Sequence, residues 1–249
     1  MGALAADLGR ALDPVRLSRA GGMEPDAWQA QVLRSSAPRI LLNCSRQSGK
    51  STVTSLLALH TALYEPESLT LMLSKAERQS GELFRKCLSV YNRLGRPVAA
   101  KSAGALHLEL ANGSRIMALP GKEDTIRSFS AVRLLLIDEA AKVSDELYRT
   151  VRPMLAVSAG RLVGLSTPYG KRGWWYEAWR SAEPWERYEV PATQCPRISP
   201  AFLAEEQRAI GDWWYQQEYL CQFLDGETQP FREEDVQRAF REEVTPWDL

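Results

Sequence analysis

Short apolar runs alternate along the chain with longer amphipathic stretches. Four of these runs are apolar on both faces, as strands covered by helices on both sides must be: residues 39–43, 69–73, 133–137 and 161–166. The stretches after the first two runs, residues 51–63 and about 75–94, have the spacing of helices. This alternation predicts an α/β fold in which helices flank a mainly parallel sheet.

One segment between the second and third runs breaks this alternation. Residues 106–110 and 115–119 flank the dipeptide Asn112-Gly113. That dipeptide suits the turn of a two-residue hairpin, because both turn positions need a positive φ angle. We expect an antiparallel hairpin here and place it at the edge of the sheet.

The chain changes character after the fourth run, where aromatic and acidic side chains become frequent. A strand is predicted near residues 187–190, and one long helix is predicted from a cap at Ser199 to about Phe223. We therefore expect a core over residues 1–180 and a small, aromatic-rich carboxy-terminal subdomain over residues 181–249.

The composition narrows the class of protein. The 249 residues include 31 basic and 31 acidic side chains and are 45% hydrophobic, as in an ordinary globular protein. No apolar run reaches the roughly 18 residues of a membrane span, and the first residues do not resemble a secretory signal, so we expect a cytoplasmic protein without a membrane partner. Four scattered cysteines and two histidines argue against zinc and disulfides, so we expect oxygen atoms to hold any metal.

The zero net charge hides an asymmetry. Residues 1–180 carry 25 basic and 16 acidic side chains, whereas residues 181–249 carry 6 basic and 15 acidic ones. An anionic ligand is therefore expected on the first part of the chain. The alternative is that the acidic segment packs on a basic core within the same molecule.

The strongest chemical signal lies between the first predicted strand and helix. Residues 44–51 read CSRQSGKS and match the phosphate-binding pattern G-x-x-x-x-G-K-[ST], except that Cys44 replaces the first glycine. We expect Lys50 to neutralise the β and γ phosphates of ATP and Ser51 to offer its hydroxyl to Mg²⁺. Backbone N–H groups of the turn are expected to surround the phosphate oxygens, which adds the rest of the loop to the predicted site: Ser45, Arg46, Gln47, Ser48 and Gly49.

A second signal is the pair Asp138 and Glu139, which ends the third apolar run. We expect Asp138 to hold the Mg²⁺ shell and Glu139 to polarise the attacking water. Such a pair on its own is more often a helix cap. Its position about 90 residues after a phosphate loop favours the catalytic interpretation.

Two weaker signals complete the set. The fourth run ends in Ser166 and Thr167, whose hydroxyls are expected near the γ phosphate or the attacking water. The alternative for them is a helix cap before Pro168. Trp28 and Gln29 precede the first strand, where an aromatic face and a two-pronged amide suit adenine. The alternative for Trp28 is a place in the core, on an amphipathic helix.

As a set, these motifs resemble the ATPase domain of the large terminase subunit, the DNA-packaging motor of tailed double-stranded DNA phages. The resemblance covers roughly residues 20–225 and rests on Trp28-Gln29 and on the runs SRQSGKS, LLLIDEAA, LSTPYGKRGWWY and EYLCQFLDG. That family tolerates loss of the first glycine in the loop. The resemblance implies an additional-strand, RecA-like P-loop NTPase fold that uses ATP and Mg²⁺.

The resemblance also implies roles for single residues. It makes Ser166 and Thr167 the coupling motif, lets Gln29 read adenine, and gives Arg46 a sensing or finger role. Arg127 resembles the position from which a neighbouring subunit offers an arginine, although a plain solvated residue is the alternative for it. Which of the two arginines acts as the finger stays open.

Terminases work as homo-oligomeric rings on double-stranded DNA in the host cytoplasm. The resemblance therefore implies double-stranded DNA, the portal protein and the small terminase subunit as partners, and a pentamer on the procapsid that is a monomer in isolation. Most such proteins carry a carboxy-terminal nuclease, but no catalytic aspartate strand follows before Leu249, so we do not expect nuclease activity in this chain. Residues 181–249 are expected to be an acidic subdomain and linker toward a nuclease domain that this sequence lacks. The alternatives are a helicase-like DNA translocase and a non-catalytic nucleotide-binding adaptor.

Overall fold

A computed structural model of the chain describes residues 2–120, 126 and 129–225. In this part of the chain eight strands form one sheet, in the order β3-β4-β5-β2-β6-β7-β1-β8. Their bounds are β1 Arg39–Cys44, β2 Leu69–Ser74, β3 Ala100–Ala103, β4 His107–Leu110, β5 Arg115–Pro120, β6 Leu134–Asp138, β7 Arg161–Ser166 and β8 Glu186–Val190.

The sheet is mainly parallel, as the sequence predicts. The four strands that are apolar on both faces, β1, β2, β6 and β7, are neighbours at its centre, and each pairs in parallel with the next. β5 and β8 extend the parallel part at its two sides. Strands β3 and β4 run antiparallel to their neighbours.

Nine α-helices with described bounds accompany the sheet: α1 Gly2–Leu12, α2 Pro14–Ala20, α3 Ala27–Arg34, α4 Lys50–Tyr64, α5 Glu77–Arg93, α6 Asp145–Val151, α7 Gly173–Arg180, α8 Pro200–Ile210 and α9 Asp212–Glu218. Because successive strand residues point to opposite faces, β1 contributes to two cores. Leu42 packs with helices α2 to α5 on one face, and Leu41 packs with α6 and α7 on the other.

The structure differs from the predicted elements at three places. The hairpin of β4 and β5 forms as expected, but a further strand, β3, lies outside it and is the true edge. The predicted long helix is interrupted at Gly211, whose φ of 80° ends α8 and begins α9. The strand expected near 187–190 is β8, which pairs with β1, so the main sheet continues beyond residue 180.

All four cysteines are buried and free. None of the helices in the described ranges is long and apolar enough to cross a membrane.

Candidate active site

The phosphate loop, the Asp138-Glu139 pair and the Ser166-Thr167 pair meet at the carboxyl ends of the central strands. The loop after β1, the turn after β6 and the segment after β7 all follow the carboxyl ends of adjacent parallel strands. The register sets Asn43 of β1 beside Ser166 of β7, and Asp138 of β6 beside Leu165 of β7. Ligands of open α/β sheets bind at this edge.

The loop of residues 44–51 is folded tightly on itself. Gln47 and Gly49 take positive φ angles of 60° and 95°, and Gly49 is the N-cap of α4. Ser48 Oγ donates to the carbonyl oxygen of Ser45 at 2.9 Å. The φ of Gly49 lies where side chains are strained, which favours glycine here, and a Cβ atom would also lie 2.5 Å from Nε2 of Gln29.

Lys50 begins α4 and is buried, with only 8% of its surface exposed. Its Nζ donates to the carbonyl oxygens of Cys44 at 3.5 Å and Ser45 at 3.3 Å. The ammonium is therefore held inside the loop, next to the first turn of a fifteen-residue helix. The free N–H groups and the dipole of such a turn favour an anion.

Cys44, which replaces the first glycine of the pattern, is the last residue of β1 and is fully buried. Burial raises the pKa of its thiol to about 12, so the side chain stays neutral. It packs in the core beneath α4, which explains how the fold accommodates a side chain at this position.

Asp138 and Glu139 form the acidic part of the site. Asp138 is 8% exposed, and its Oδ1 accepts a hydrogen bond from the Glu139 backbone N–H at 3.0 Å. Burial, followed by the negative charge of Glu139, raises the pKa of Asp138 to about 6, while the charge of Lys50 opposes this shift. Glu139 has a left-handed backbone with φ of 50°, and its Oε2 accepts a hydrogen bond from Lys142 Nζ at 3.0 Å.

Ser166 and Thr167 are buried at the end of β7. Ser166 Oγ accepts a hydrogen bond from the Ala141 backbone N–H at 3.2 Å, which ties β7 to the turn after Glu139. The next helix, α7, has Arg172 as its N-cap. The alternative expectation for Ser166, a helix cap before Pro168, is therefore wrong.

Trp28 and Gln29 lie on α3. Gln29 is buried, and its Oε1 accepts a hydrogen bond from the Asp26 backbone N–H at 2.9 Å, while its Nε2 donates to the Ser48 carbonyl at 3.4 Å. Its amide thus lies against the phosphate loop. Trp28 is half-buried against the core beside α4, as its alternative interpretation predicts.

Of the two candidate arginines, Arg46 and Arg127, the structure describes only Arg46. Nε of Arg46 donates to Glu218 Oε2 at 2.6 Å, so its guanidinium is held by the end of α9. Arg127 lies outside the described residues.

Three residues near the site are not predicted as site residues from the sequence, although Glu218 opens the run EYLCQFLDG: Lys142, Arg197 and Glu218. Arg197 binds both carboxylate oxygens of Asp26, at 2.8 and 2.7 Å, and donates to the Ser48 carbonyl at 3.1 Å. Each is an ordinary charged residue in a turn, loop or helix end. Lys142, Arg197 and Glu218 belong to the site only because the fold places their hydrogen-bond partners beside them.

The donor set at this edge fits Mg²⁺ bound together with a nucleotide. Within the described residues, no group of three or more histidine, cysteine, aspartate or glutamate side chains converges as a metal cage. Mg²⁺ commonly takes one or two carboxylates plus substrate phosphates, and Asp138 with the Ser51 hydroxyl supplies oxygen ligands of that kind.

Comparisons with known proteins agree with this geometry. A family model described as phage terminase large subunit matches residues 38–224. A search of curated proteins found no match. The chain is similar to the large terminase ATPase domain of Thermus phage P74-26, with 20% sequence identity, a TM-score of 0.74, and coverage of 83% of this chain and 97% of that chain.

Two longer terminases are also similar. The large terminase of a thermophilic bacteriophage, solved in complex with ADP, has 16% identity and a TM-score of 0.66, over 80% of this chain and 53% of that chain. The large terminase of bacteriophage HK97 has 16% identity and a TM-score of 0.67, over 81% of this chain and 51% of that chain. These matches span about half of the longer proteins, and at such identities they confirm the predicted P-loop NTPase fold.

Proposed function

This chain belongs to the phage terminase large subunit family, the DNA-packaging motor, and we propose that it hydrolyses ATP to drive double-stranded DNA into the procapsid. The observation that carries the proposal is that Lys50, Asp138 and Glu139 meet at the carboxyl ends of the central strands. Lys50 is buried in the phosphate loop, and its charge acts on Asp138. An adaptor that only binds nucleotide has no need of a water-activating glutamate beside them.

Each residue has a role that follows from its position. The N–H groups of residues 47–51 and the Lys50 ammonium bind the β and γ phosphates. Those of Ser45 and Arg46, also expected there, instead donate to the carbonyls of Val190 and Glu218 at 2.9 and 3.2 Å. Asp138 and Ser51 hold Mg²⁺, which supplies positive charge to the phosphate oxygens. Glu139 accepts the proton of the attacking water. The hydroxyls of Ser166 and Thr167 contact the γ phosphate and so connect the nucleotide to β7.

Recognition of the base is assigned to the other side of the loop. Gln29 already touches the loop through its Nε2, so an adenine bound there takes the amide as a neighbour. Trp28 precedes Gln29 on α3 and is half-buried against the core, and its exposed part is the aromatic face proposed for the base. In the ring, Arg46 acts in its own site, and Arg127 is the candidate contributed by the adjacent subunit.

The segment after residue 180 supports the loop. β8 runs beside β1, Arg197 contacts Ser48, and Glu218 contacts Arg46. We assign residues 1–180 to the ATPase core, whose sheet β8 extends, and residues 181–249 to an acidic carboxy-terminal subdomain and linker. Double-stranded DNA is assigned to the basic part, residues 1–180, and the portal protein and small terminase subunit are the protein partners of the assembled ring.

The decisive experiment is phosphate release by the purified chain, with and without Mg²⁺ and double-stranded DNA. We expect Mg²⁺-dependent hydrolysis, and DNA binding that is insensitive to sequence and falls steeply as salt rises. Nucleotide binding without phosphate release, even with DNA present, would identify a non-catalytic adaptor. Strand separation of a forked duplex would instead identify a helicase-like translocase.

A further inference from the structure

Glu139, the proposed general base, is anchored through one of its two carboxylate oxygens. Oε2 accepts a hydrogen bond from Lys142 Nζ at 3.0 Å, across the single 3-10 turn Ala140–Lys142. Among the described residues, Oε1 accepts no hydrogen bond. The side chains are 22% and 29% exposed, so solvent screens this ion pair less than it screens a surface pair.

Lys142 is itself placed by a second contact. Its Nζ lies 5.7 Å from the ring centroid of Tyr169, and the guanidinium of Arg172 lies 4.8 Å from the same centroid. Tyr169 follows Thr167 by two positions, in the segment that leaves β7. The Tyr169 ring therefore connects the cation beside Glu139 to that segment.

We propose that Lys142 is a positioning residue for ATP hydrolysis: it fixes Glu139 through Oε2 and leaves Oε1 to accept the proton of the attacking water. This inference rests on the proposed role of Glu139 as the general base. A base is effective only when it is held within hydrogen-bond reach of the proton it takes. Tyr169 acts through Lys142, by setting where the ammonium lies.

The test is the variant Lys142→Met, which keeps the length of the side chain and removes its charge. We expect kcat to fall about 10-fold while KM for ATP stays the same, because only the orientation of the base is lost. Lys142→Arg should restore most of the activity. The matched control is Lys101→Met, which breaks a similar ion pair with Glu109, of 2.8 Å, at the far edge of the sheet and should leave kcat unchanged.

A double-variant cycle separates positioning from a general structural effect. In the Glu139→Gln background, adding Lys142→Met should cause no further loss, because the base it positions is already absent. Tyr169→Leu offers a second route, with a smaller fall in kcat that disappears in the Lys142→Met background. The inference is overturned if Lys142→Met keeps or raises kcat, changes KM alone, or lowers activity equally with and without Glu139.

The failure of this inference is distinguishable from failure of the proposed function. If the wild-type chain releases no phosphate, or if Glu139→Gln retains full turnover, the general-base assignment is wrong and Lys142 loses its role with it. If Glu139→Gln is inactive and Lys142→Met turns over like the wild type, the positioning role alone is refuted.

Discussion

Arg46 of the phosphate loop is joined twice to Glu218 at the end of α9. Nε donates to Oε2 at 2.6 Å, and the Arg46 backbone N–H donates to the Glu218 carbonyl at 3.2 Å. The Glu218 carboxylate is only 9% exposed, whereas the Arg46 side chain is 60% exposed. In the proposed role of Arg46 at the γ phosphate of its own site, the Glu218 carboxylate and the nucleotide therefore compete for the charge of one guanidinium.

Glu218→Gln is accordingly expected to tighten the binding of a non-hydrolysable ATP analogue. The ion pair is partly exposed and contributes at most about 1 kcal/mol, so the gain should be about 5-fold or less. Calorimetric titration measures it directly. Glu206→Gln is the control, because Glu206 bonds the hydroxyl of Tyr219 and not Arg46. Weaker binding by Glu218→Gln would contradict competition for Arg46.

Lys50→Ala tests the phosphate loop itself. The β and γ phosphates lose a buried cation, so we expect nucleotide affinity to fall about 100-fold or more. The binding titration used for Glu218→Gln measures this loss. The control is Lys101→Ala, which removes an exposed lysine from the far edge of the sheet. Unchanged affinity in Lys50→Ala would rule out residues 44–51 as the phosphate site.

Glu139→Gln should separate binding from chemistry. The amide keeps the shape of the side chain but cannot accept a proton, so nucleotide should still bind while phosphate release falls by about 10² or more. Steady-state release at saturating ATP measures the loss, and the binding titration verifies that affinity is retained. Near-normal turnover would mean that another residue is the base.

The sequence predicts the centre of this molecule better than its periphery. Strands β1, β2, β6 and β7 are recognisable because burial on both faces demands continuous apolar runs. β3 is exposed along its whole length, so no apolar pattern marks it. The sequence does not predict the interruption at Gly211 either, because glycine is compatible with either a helix or a break in it.

The residues of the site also differ in how far the sequence predicts them. The phosphate loop and the Asp138-Glu139 pair are local motifs whose chemistry requires particular residues at fixed spacing. Arg197 and Glu218 join the site through Asp26 and Arg46, which lie 171 and 172 positions away in the sequence. Those contacts exist because β8 lies beside β1 and brings the following segment over the loop, which local patterns do not encode.

Asp138 gives a pH-dependent prediction for the protein free of nucleotide and metal. Burial and the charge of Glu139 raise its pKa from 3.8 to about 6, so between about pH 4 and pH 6 the folded state retains a proton that the unfolded state has released. The stability linked to this proton is complete below that window and is lost as pH rises through it. Above pH 6, Asp138→Asn should therefore be more stable than the wild type, by on the order of 2 kcal/mol.

Urea unfolding in the presence of a chelator measures this difference. The gap between Asp138→Asn and the wild type should open as the pH is raised from 4 to 7. A gap that is constant over this range, or that closes with rising pH, would show that Asp138 is not the group responsible.

The last prediction concerns Arg197, whose contacts have a close counterpart elsewhere in the molecule. Arg197 binds both oxygens of Asp26 before the start of α3, and Arg34 at the end of α3 binds both oxygens of Asp13. The two arginine side chains are 50% and 55% exposed, so their ion pairs should contribute equally little to stability. They differ in one respect: Arg197 also donates to the Ser48 carbonyl at 3.1 Å, whereas Arg34 does not contact the loop.

We therefore expect Arg197→Ala to weaken nucleotide binding about 5-fold, through loss of one charge-assisted hydrogen bond that orients the loop, and Arg34→Ala to leave binding unchanged. Both variants should unfold at nearly the same urea concentration. Arg197→Lys should recover little of the affinity, because an ammonium cannot bind the Asp26 carboxylate in the forked geometry of a guanidinium while also reaching Ser48. Equal effects of Arg197→Ala and Arg34→Ala on nucleotide affinity would mean that Arg197 only fastens α3 and has no part in shaping the phosphate loop.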